Sequence, residues 1–321
     1  MFEIDGSYGE GGGQILRNAI GLSNFINEPV KITNIRANRP NPGIKAQHYV
    51  IIKSIEEISN AETKNLEIGS SKLTFIPGKF KGGDYKFDIG TAGSITLVFQ
   101  ALILATLKTE NEIRIKLSGG TDVKWSPSWD YFEHVFYPII KKIGVKVDVQ
   151  LIKRGYYPKG GGEAIITIHP GSKVKPIQLV GETEFTKVKG IVNIGQLSKN
   201  ISKRIKHSAI RALVRNELQP DIKDVEYSTL SAGTGITIWT DSRDVILGAS
   251  VLGERGLQSE EIGKNVVANL LEEINSQATI DIYAFDQVLP YMALAKGESS
   301  CVVRKISNHA QTNMWLIKQF L

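Results

Sequence analysis

The 321-residue chain has one cysteine, Cys301. No intrachain disulfide can form, so a reducing interior and a cytoplasmic location are expected. Histidines are few as well, five in all, and none of them shares a zinc-type spacing with the cysteine. No apolar run is long enough to span a bilayer, since the mostly apolar stretch from Ala101 to Leu107 stops at Lys108. The opening Met1-Phe2-Glu3-Ile4-Asp5 lacks the basic-then-apolar pattern of a secretory leader. There is no Gly-x-Ser-x-Gly elbow, no Gly-Lys-Ser/Thr after a glycine-rich turn, and no dinucleotide fingerprint. What remains is a chain with 41% hydrophobic and 22% charged residues, the balance of a globular protein with a full core. Its length fits one large domain or two ordinary ones. The formal net charge of +6 leans toward polyanionic partners such as RNA or nucleotides, without separating them from a generic basic surface.

The hydrophobic pattern is that of strands leading through glycine-rich or proline-rich turns into amphipathic helices. Strands are expected at Phe2–Ile4, Val30–Ile35, Leu66–Ile68, Lys72–Ile76, Tyr85–Ile89, Glu112–Leu117, Val145–Ile152 and Glu163–His169. Helices are expected from Gln14 to Ile26, from Pro42-Gly43 through Glu57, from Ser94 to Leu107 and from Trp129 to Ile143. This reads as an array of β-α-β-β units with helices on one face of mixed sheets, an α+β class. From about residue 181 to 277 the order of elements changes, and the former pattern resumes at Thr279. The expected organisation is a large domain of residues 1–180 and 278–321, interrupted by a small inserted α/β domain of residues 181–277.

Several segments carry chemistry. In Gly9-Glu10-Gly11-Gly12-Gly13-Gln14-Ile15-Leu16-Arg17, glycines let backbone N–H groups approach an anion at a helix start. Glu10 is there either a cation ligand or a surface carboxylate, and Arg17 either a phosphate partner or a helix-surface arginine. In Arg36-Ala37-Asn38-Arg39-Pro40-Asn41-Pro42-Gly43, two arginines in one loop suit a phosphate or simply make a basic loop; Gln47 and His48 follow on the first helical turns. The turn Gly90-Thr91-Ala92-Gly93-Ser94 opens a helix whose Gln100 has an amide suited to a base edge, or it is only a close-packed turn. In Gly119 to Tyr131, aromatic and proline surfaces either sandwich a purine or pack the loop, the latter fitting Trp129 better. Lys199, Lys203, Arg204, Lys206, His207, Arg211 and Arg215 share one face of an amphipathic helix, a solvated face before it is an RNA-binding one. His309, in Ser307-Asn308-His309-Ala310, is either a helix-start residue that caps and packs or a nucleophile, since unprotonated imidazole attacks phosphorus at neutral pH.

Taken in order, the Gly9–Arg17 segment, Arg39-Pro40-Asn41-Pro42-Gly43, Gln47-His48, Gly90–Ser94, Gly119-Gly120-Thr121-Asp122, Tyr157-Pro158-Lys159-Gly160-Gly161-Gly162-Glu163, Asp286-Gln287 and the His309 segment resemble the RNA 3′-terminal phosphate cyclase family nearly end to end. The resemblance implies a layout shared with enolpyruvyl transferases, with a small α/β insert. It implies an enzyme that uses ATP with Mg²⁺ or Mn²⁺ to turn an RNA 3′-phosphate into a 2′,3′-cyclic phosphate through histidine-AMP and RNA-adenylate intermediates. By the same likeness His309 is the nucleophile and Glu10 acts with the metal. Gln100, Pro127, Tyr283, Asp286 and Gln287 border the nucleotide. Arg17, Arg36, Arg39, Gln47 and His48 meet the RNA phosphate. Ser128 stands where many members have a second proline. The alternatives are a cyclase-like branch that acts in ribosome assembly without adenylation and lacks the nucleophilic histidine, enolpyruvyl transfer on the same architecture, and plain RNA binding. His309 together with Glu10 and Arg17 favours the active branch.

Overall fold

A computed structural model describes residues 1–181 and 184–321; Glu182 and Thr183, at the edge of the expected insert, lie outside the described residues. The first unit runs β1 (Phe2–Asp5), α1 (Gly13–Ile26), β2 (Val30–Thr33), α2 (Ala46–Ser59), β3 (Glu62–Lys64), β4 (Leu73–Ile76). In β2, Val30 and Ile32 are buried while Lys31 and Thr33 turn outward, as a one-sided strand requires. Helices α1 and α2 each stop at an asparagine in the left-handed region, Asn27 at φ 59° and Asn60 at φ 54°. The strand order is β1-β2-β4-β3, with β1 and β2 parallel and the other pairs antiparallel.

The second unit repeats that order: β5 (Gly83–Asp88), α3 (Ile95–Ala105), β6 (Ile113–Gly119), α4 (Trp129–Tyr131), a π-helical turn at Phe132–Phe136, α5 (Tyr137–Lys142), β7 (Val147–Lys153) and β8 (Gly162–Ile168). Its sheet is β5-β6-β8-β7, with the same alternation of parallel and antiparallel pairs. The observed unit is thus β-α-β-α-β-β, one helix longer than the expected β-α-β-β. The expected strand at Leu66–Ile68 is a turn instead. Asn65 takes φ 64°, Ser70 N–H closes onto the Glu67 carbonyl at 3.1 Å, and Ile68 is exposed. The polar edge strand β3 pairs with β4 in its place, because the chain leaving α2 lies alongside it.

Strand β9 (Gln178–Leu179) precedes a sheet of different topology. That sheet comprises β10 (Lys187–Gly195), β11 (Gln219–Tyr227), β12 (Gly233–Thr240) and β13 (Gly248–Leu252), in the order β11-β10-β12-β13. Helices α6 (Lys199–Arg215) and α7 (Ser259–Asn275) cover one face of it and share a core of Val188, Val192, Ile205, Ile236, Val266 and Leu270, distinct from the main core. The chain then enters α8 (Ile282–Leu294), β14 (Ser300–Cys301) and α9 (Asn308–Phe320), and β14 pairs in parallel with β9. No helix is long and apolar enough to cross a membrane among the described residues.

Two buried polar clusters tie the cores together. Arg154, 1% exposed, donates to both oxygens of Asp122 at 2.9 Å and to Asp130, and its guanidinium lies 4.7 Å from the ring centroid of Tyr227. Asn193 of β10 donates to Asp130 at 3.0 Å and accepts from the Tyr156 hydroxyl at 2.7 Å. Asp281 caps α8 through the N–H groups of Tyr283 and Ala284, and also accepts from the Tyr131 hydroxyl at 2.6 Å and from the Gly248 N–H at 3.0 Å. Removing one partner from such a cluster leaves a buried charge uncompensated. Arg154→Ala is therefore expected to destabilise the fold by roughly 3–5 kcal/mol. Adding Asp122→Asn and Asp130→Asn to that variant should recover part of the loss. Urea denaturation of the single and triple variants checks this; a cost below about 1 kcal/mol for Arg154→Ala would show that the cluster does not hold the cores together.

Candidate active site

The site forms around the start of α1. Gly9 and Gly11 take φ of 58° and 53°, the left-handed region that favours glycine. Their neighbours stay glycine for lack of space: a Cβ on Gly13 would collide with His48 Nε2, and one on Gly12 would lie 2.9 Å from an Arg39 guanidinium nitrogen. Gly12 is the N-cap of α1 and offers no side-chain acceptor to the first turn. The positive end of that helix is left to another acceptor.

Cations gather there. Arg17 lies one turn into α1, half-buried. Burial first, and then the charges of Arg36 and Arg39, pull its pKa down to about 10, so it is still a cation at neutral pH. Arg36 is lowered too, by burial and by Arg39. It sits at φ 56° and uses part of its guanidinium to close its own loop, donating to the carbonyls of Asn41 at 2.6 Å and Gly43 at 3.2 Å. Of the three arginines only Arg39 meets a carboxylate among the described residues, Glu10 at 3.2 Å. His48 is buried, and burial followed by Arg17, Arg36 and Lys45 pushes its pKa to about 3, so the ring is neutral. Its Nδ1 accepts from the Lys45 N–H at 3.3 Å, which leaves the proton on Nε2, toward Gly13. Gln47 accepts the Ser94 N–H at 3.2 Å and so joins α2 to the start of α3.

His309 arrives from the other end of the chain. Ser307 caps α9, accepting the Ala310 N–H at 3.0 Å and donating to Asp286 at 2.7 Å. The first turn of α9 then sets His309 Nδ1 2.6 Å from the Gln14 amide oxygen and Nε2 3.0 Å from Glu10. An amide oxygen only accepts, so Gln14 suits a proton on Nδ1, and Nε2 is the atom that faces Glu10. Burial holds the His309 pKa below the ordinary histidine value; Glu10 opposes this, and Arg17 and Arg39 reinforce it. Asp286 is buried, and burial raises its carboxyl to about 7, with the Ser307 bond opposing and Glu10 and Asp281 adding.

The structure thus brings Glu10, Arg17, Arg36, Arg39, His48 and His309 into one cluster. Asp286 is joined to it through Ser307, and Gln47 borders it from α2. Gln100 and Gln287 form an amide pair between α3 and α8, Pro127 accepts from Thr96 at 2.8 Å, and Tyr283 is exposed at the start of α8. Those residues stand on adjoining elements and share no hydrogen bond with His309 among the described residues. Trp129 is fully buried, as loop packing required. Gln14 and Ser307 were not among the expected site residues. The signals were slight: a glutamine directly after three glycines, and a serine two residues before the histidine, where an N-cap falls. No group of three or more His, Cys, Asp or Glu capable of holding a metal occurs among the described residues, and Glu10 is the carboxylate nearest His309.

A family model described as RNA 3′-terminal phosphate cyclase matches residues 8–321. Curated relatives named RNA 3′-terminal phosphate cyclase include one from Methanopyrus kandleri, 40% identical over all of this chain and 93% of its own length. Another is from Pyrococcus furiosus, 41% identical over all of this chain and 93% of its own length. A third, from Korarchaeum cryptofilum, is 42% identical over all of this chain and 92% of its own length.

The raised Asp286 pKa has a consequence for stability. A carboxyl that holds its proton more tightly folded than unfolded favours the fold at low pH. That contribution is lost as pH rises from about 4, where the unfolded chain ionises, to about 7. Asp286→Asn should therefore gain on the wild type across this window, by on the order of 2–4 kcal/mol above it. Thermal melts of both proteins at intervals from pH 4 to 8 measure the gap; parallel curves would contradict the assignment.

Proposed function

The chain belongs to the RNA 3′-terminal phosphate cyclase family, and from that membership and the His309 cluster we propose that it converts an RNA 3′-phosphate to a 2′,3′-cyclic phosphate using ATP. The observation that carries the reading is the placement of His309: Nδ1 lies against the Gln14 amide oxygen, Nε2 against Glu10, and burial lowers its pKa beside Arg17 and Arg39. In the first step Nε2 attacks the α-phosphorus of ATP, the bond to the β-phosphate breaks, and pyrophosphate leaves. An oxygen of the RNA 3′-phosphate then displaces His309, giving an RNA adenylate. Finally the neighbouring 2′-hydroxyl attacks the activated phosphorus and AMP leaves in place of an oxide, which is the purpose of activation.

Arg17, Arg36, Arg39, Gln47 and His48, with the uncapped start of α1, make the RNA phosphate pocket. Two arginines lacking a carboxylate partner and a neutral histidine donor suit a dianionic phosphate better than they suit one another. Gln100, Pro127, Tyr283, Asp286 and Gln287 border the nucleotide. A lone carboxylate fits a cation that also binds substrate phosphates, so Glu10 would hold Mg²⁺ or Mn²⁺. Such an ion offsets phosphate charge. The large body comprises residues 1–180 and 278–321, and residues 181–277 are a small inserted α/β domain. Its separate core and the closing pair of β9 with β14 support that division. The home of the enzyme is the cytoplasm.

Incubation with α-labelled ATP and Mg²⁺ is expected to leave acid-labile label on the wild type and none on His309→Ala; label retained by the variant would remove His309 from the role. Arg39→Ala should lose roughly 10- to 100-fold in cyclisation, the worth of a charged hydrogen bond, and less in self-adenylation, where RNA takes no part. Equal losses in both steps with a lowered melting point would make Arg39 a loop-holding residue. If the wild type took no label, RNA binding without adenylation would become the reading.

A further inference from the structure

We propose that the loop bearing Trp125 is a stacking platform for the single-stranded RNA nucleotides just upstream of the 3′-phosphate, an inference that rests on the cyclase reading above. Trp125 is 96% exposed, and its backbone takes φ 60°, a conformation uncommon for a bulky residue. An indole in water forfeits more burial than almost any other side chain. The loop around it is nevertheless fixed. Ser126 Oγ donates to the Val123 carbonyl at 2.8 Å, Thr96 of α3 donates to the Pro127 carbonyl at 2.8 Å, and Lys124 pairs with Glu254 at 2.8 Å. A fixed loop that displays an unpartnered indole points to a ligand that covers it.

The surroundings say which ligand. The Trp125 loop, the Gly90–Gly93 turn and the Gly155–Gly162 loop form one rim. Gly120 N–H donates to the Gly93 carbonyl at 2.8 Å, and Thr121 N–H donates to the Gly155 carbonyl at 2.8 Å. The third loop exposes a second ring, Tyr157, 75% accessible, followed by exposed Lys159. The rim adjoins the proposed phosphate pocket, since Gln47 accepts the Ser94 N–H at 3.2 Å one residue beyond Gly93. Two exposed aromatic rings, each with a lysine within two residues in its own loop, match a single strand, whose bases offer π faces and whose backbone offers charge. An apolar protein segment has no use for the lysines, and ATP alone does not need two separate rings.

The test uses RNAs ending in 3′-phosphate, of one, two, three and six nucleotides, with the wild type, Trp125→Ala and Trp125→Phe. Trp125→Ala is expected to raise KM for the six-nucleotide RNA roughly 5- to 100-fold, the range for losing one base stack, with the penalty fading as the RNA shortens to a single nucleotide. Trp125→Phe should restore most of it. An unchanged KM, a loss equal at every length, or a raised KM for ATP without length dependence would overturn the platform. Binding is read independently from tryptophan fluorescence with a six-nucleotide RNA ending in 3′-hydroxyl. Quenching is expected in the wild type and should be much reduced in Trp125→Phe; equal quenching in both would also overturn it. If the wild type bound RNA with that signature yet formed no adenylate, the proposed activity would fall and the platform would stand.

Discussion

The contact between the first long helix and the last is what the site depends on. Helix α9 lies against α1, held by the side-chain bond from Asn18 to Asn313, two residues 295 apart in sequence. Around it, Tyr8 stacks on Trp315 with ring centroids 3.9 Å apart, and Phe2 meets Phe320 at 4.8 Å. Without this docking His309 would be far from Glu10 and Gln14, since nothing local in sequence connects them. Closing a loop of that size has an entropic cost, but one that grows only slowly with length, so a few aromatic contacts and buried amides suffice once the intervening sheets have formed. The stability of the α1–α9 contact and the integrity of the site are therefore one quantity.

Two sets of arginines show how the same side chain is put to opposite uses. Arg154 is buried against two carboxylates and an aromatic ring; burial opposes its charge, yet Asp122 and Asp130 hold its pKa above the ordinary value. Such an arginine spends its terminal nitrogens on the two carboxylates and is closed off from any ligand, with its Nε buried and unpaired among the described residues. Arg17 is lowered instead, by burial first and then by the like charges of Arg36 and Arg39, with no carboxylate to offset them. A cluster of cations with one carboxylate among them is a local excess that the fold tolerates rather than resolves, and an anion would resolve it. The net charge of +6 did not locate this excess; the neighbours of each arginine did.

Much of the architecture was legible because it rests on local periodicity. Val30 and Ile32 alternate with Lys31 and Thr33, α3 is apolar nearly all round, and Ser94 and Ser307 stand at helix starts as caps do. The failure at Leu66–Ile68 is instructive. Two apolar residues at strand spacing were outweighed by a left-handed Asn65 and by a polar segment that already lay beside β4. Illegible features were those set by tertiary neighbours. Arg154 in Lys153-Arg154-Gly155 looks like a surface residue until β7 and β8 bring it between Asp122 and Asp130. Gln14 looks like an ordinary helix-start amide until α9 arrives. His48 could be read as packed or as functional; it is buried and neutral, and it stands beside the cluster.

Helix starts near the cluster follow a consistent division of labour. Helix α3 is capped by Ser94, α8 by Asp281 and α9 by Ser307, each side chain accepting an N–H from its own first turn. Helix α1 alone among these begins at a glycine with no such acceptor, and no acidic residue lies in its first turn. A serine or aspartate at Gly12 would displace the Arg39 guanidinium from its present place, since a Cβ there would lie 2.9 Å from it. Arg39 and His48 crowd this uncapped start at Gly12 and Gly13, and Arg17 stands one turn further along it. The capped helices fix the walls, and the start of α1 keeps its first-turn N–H groups without a side-chain acceptor.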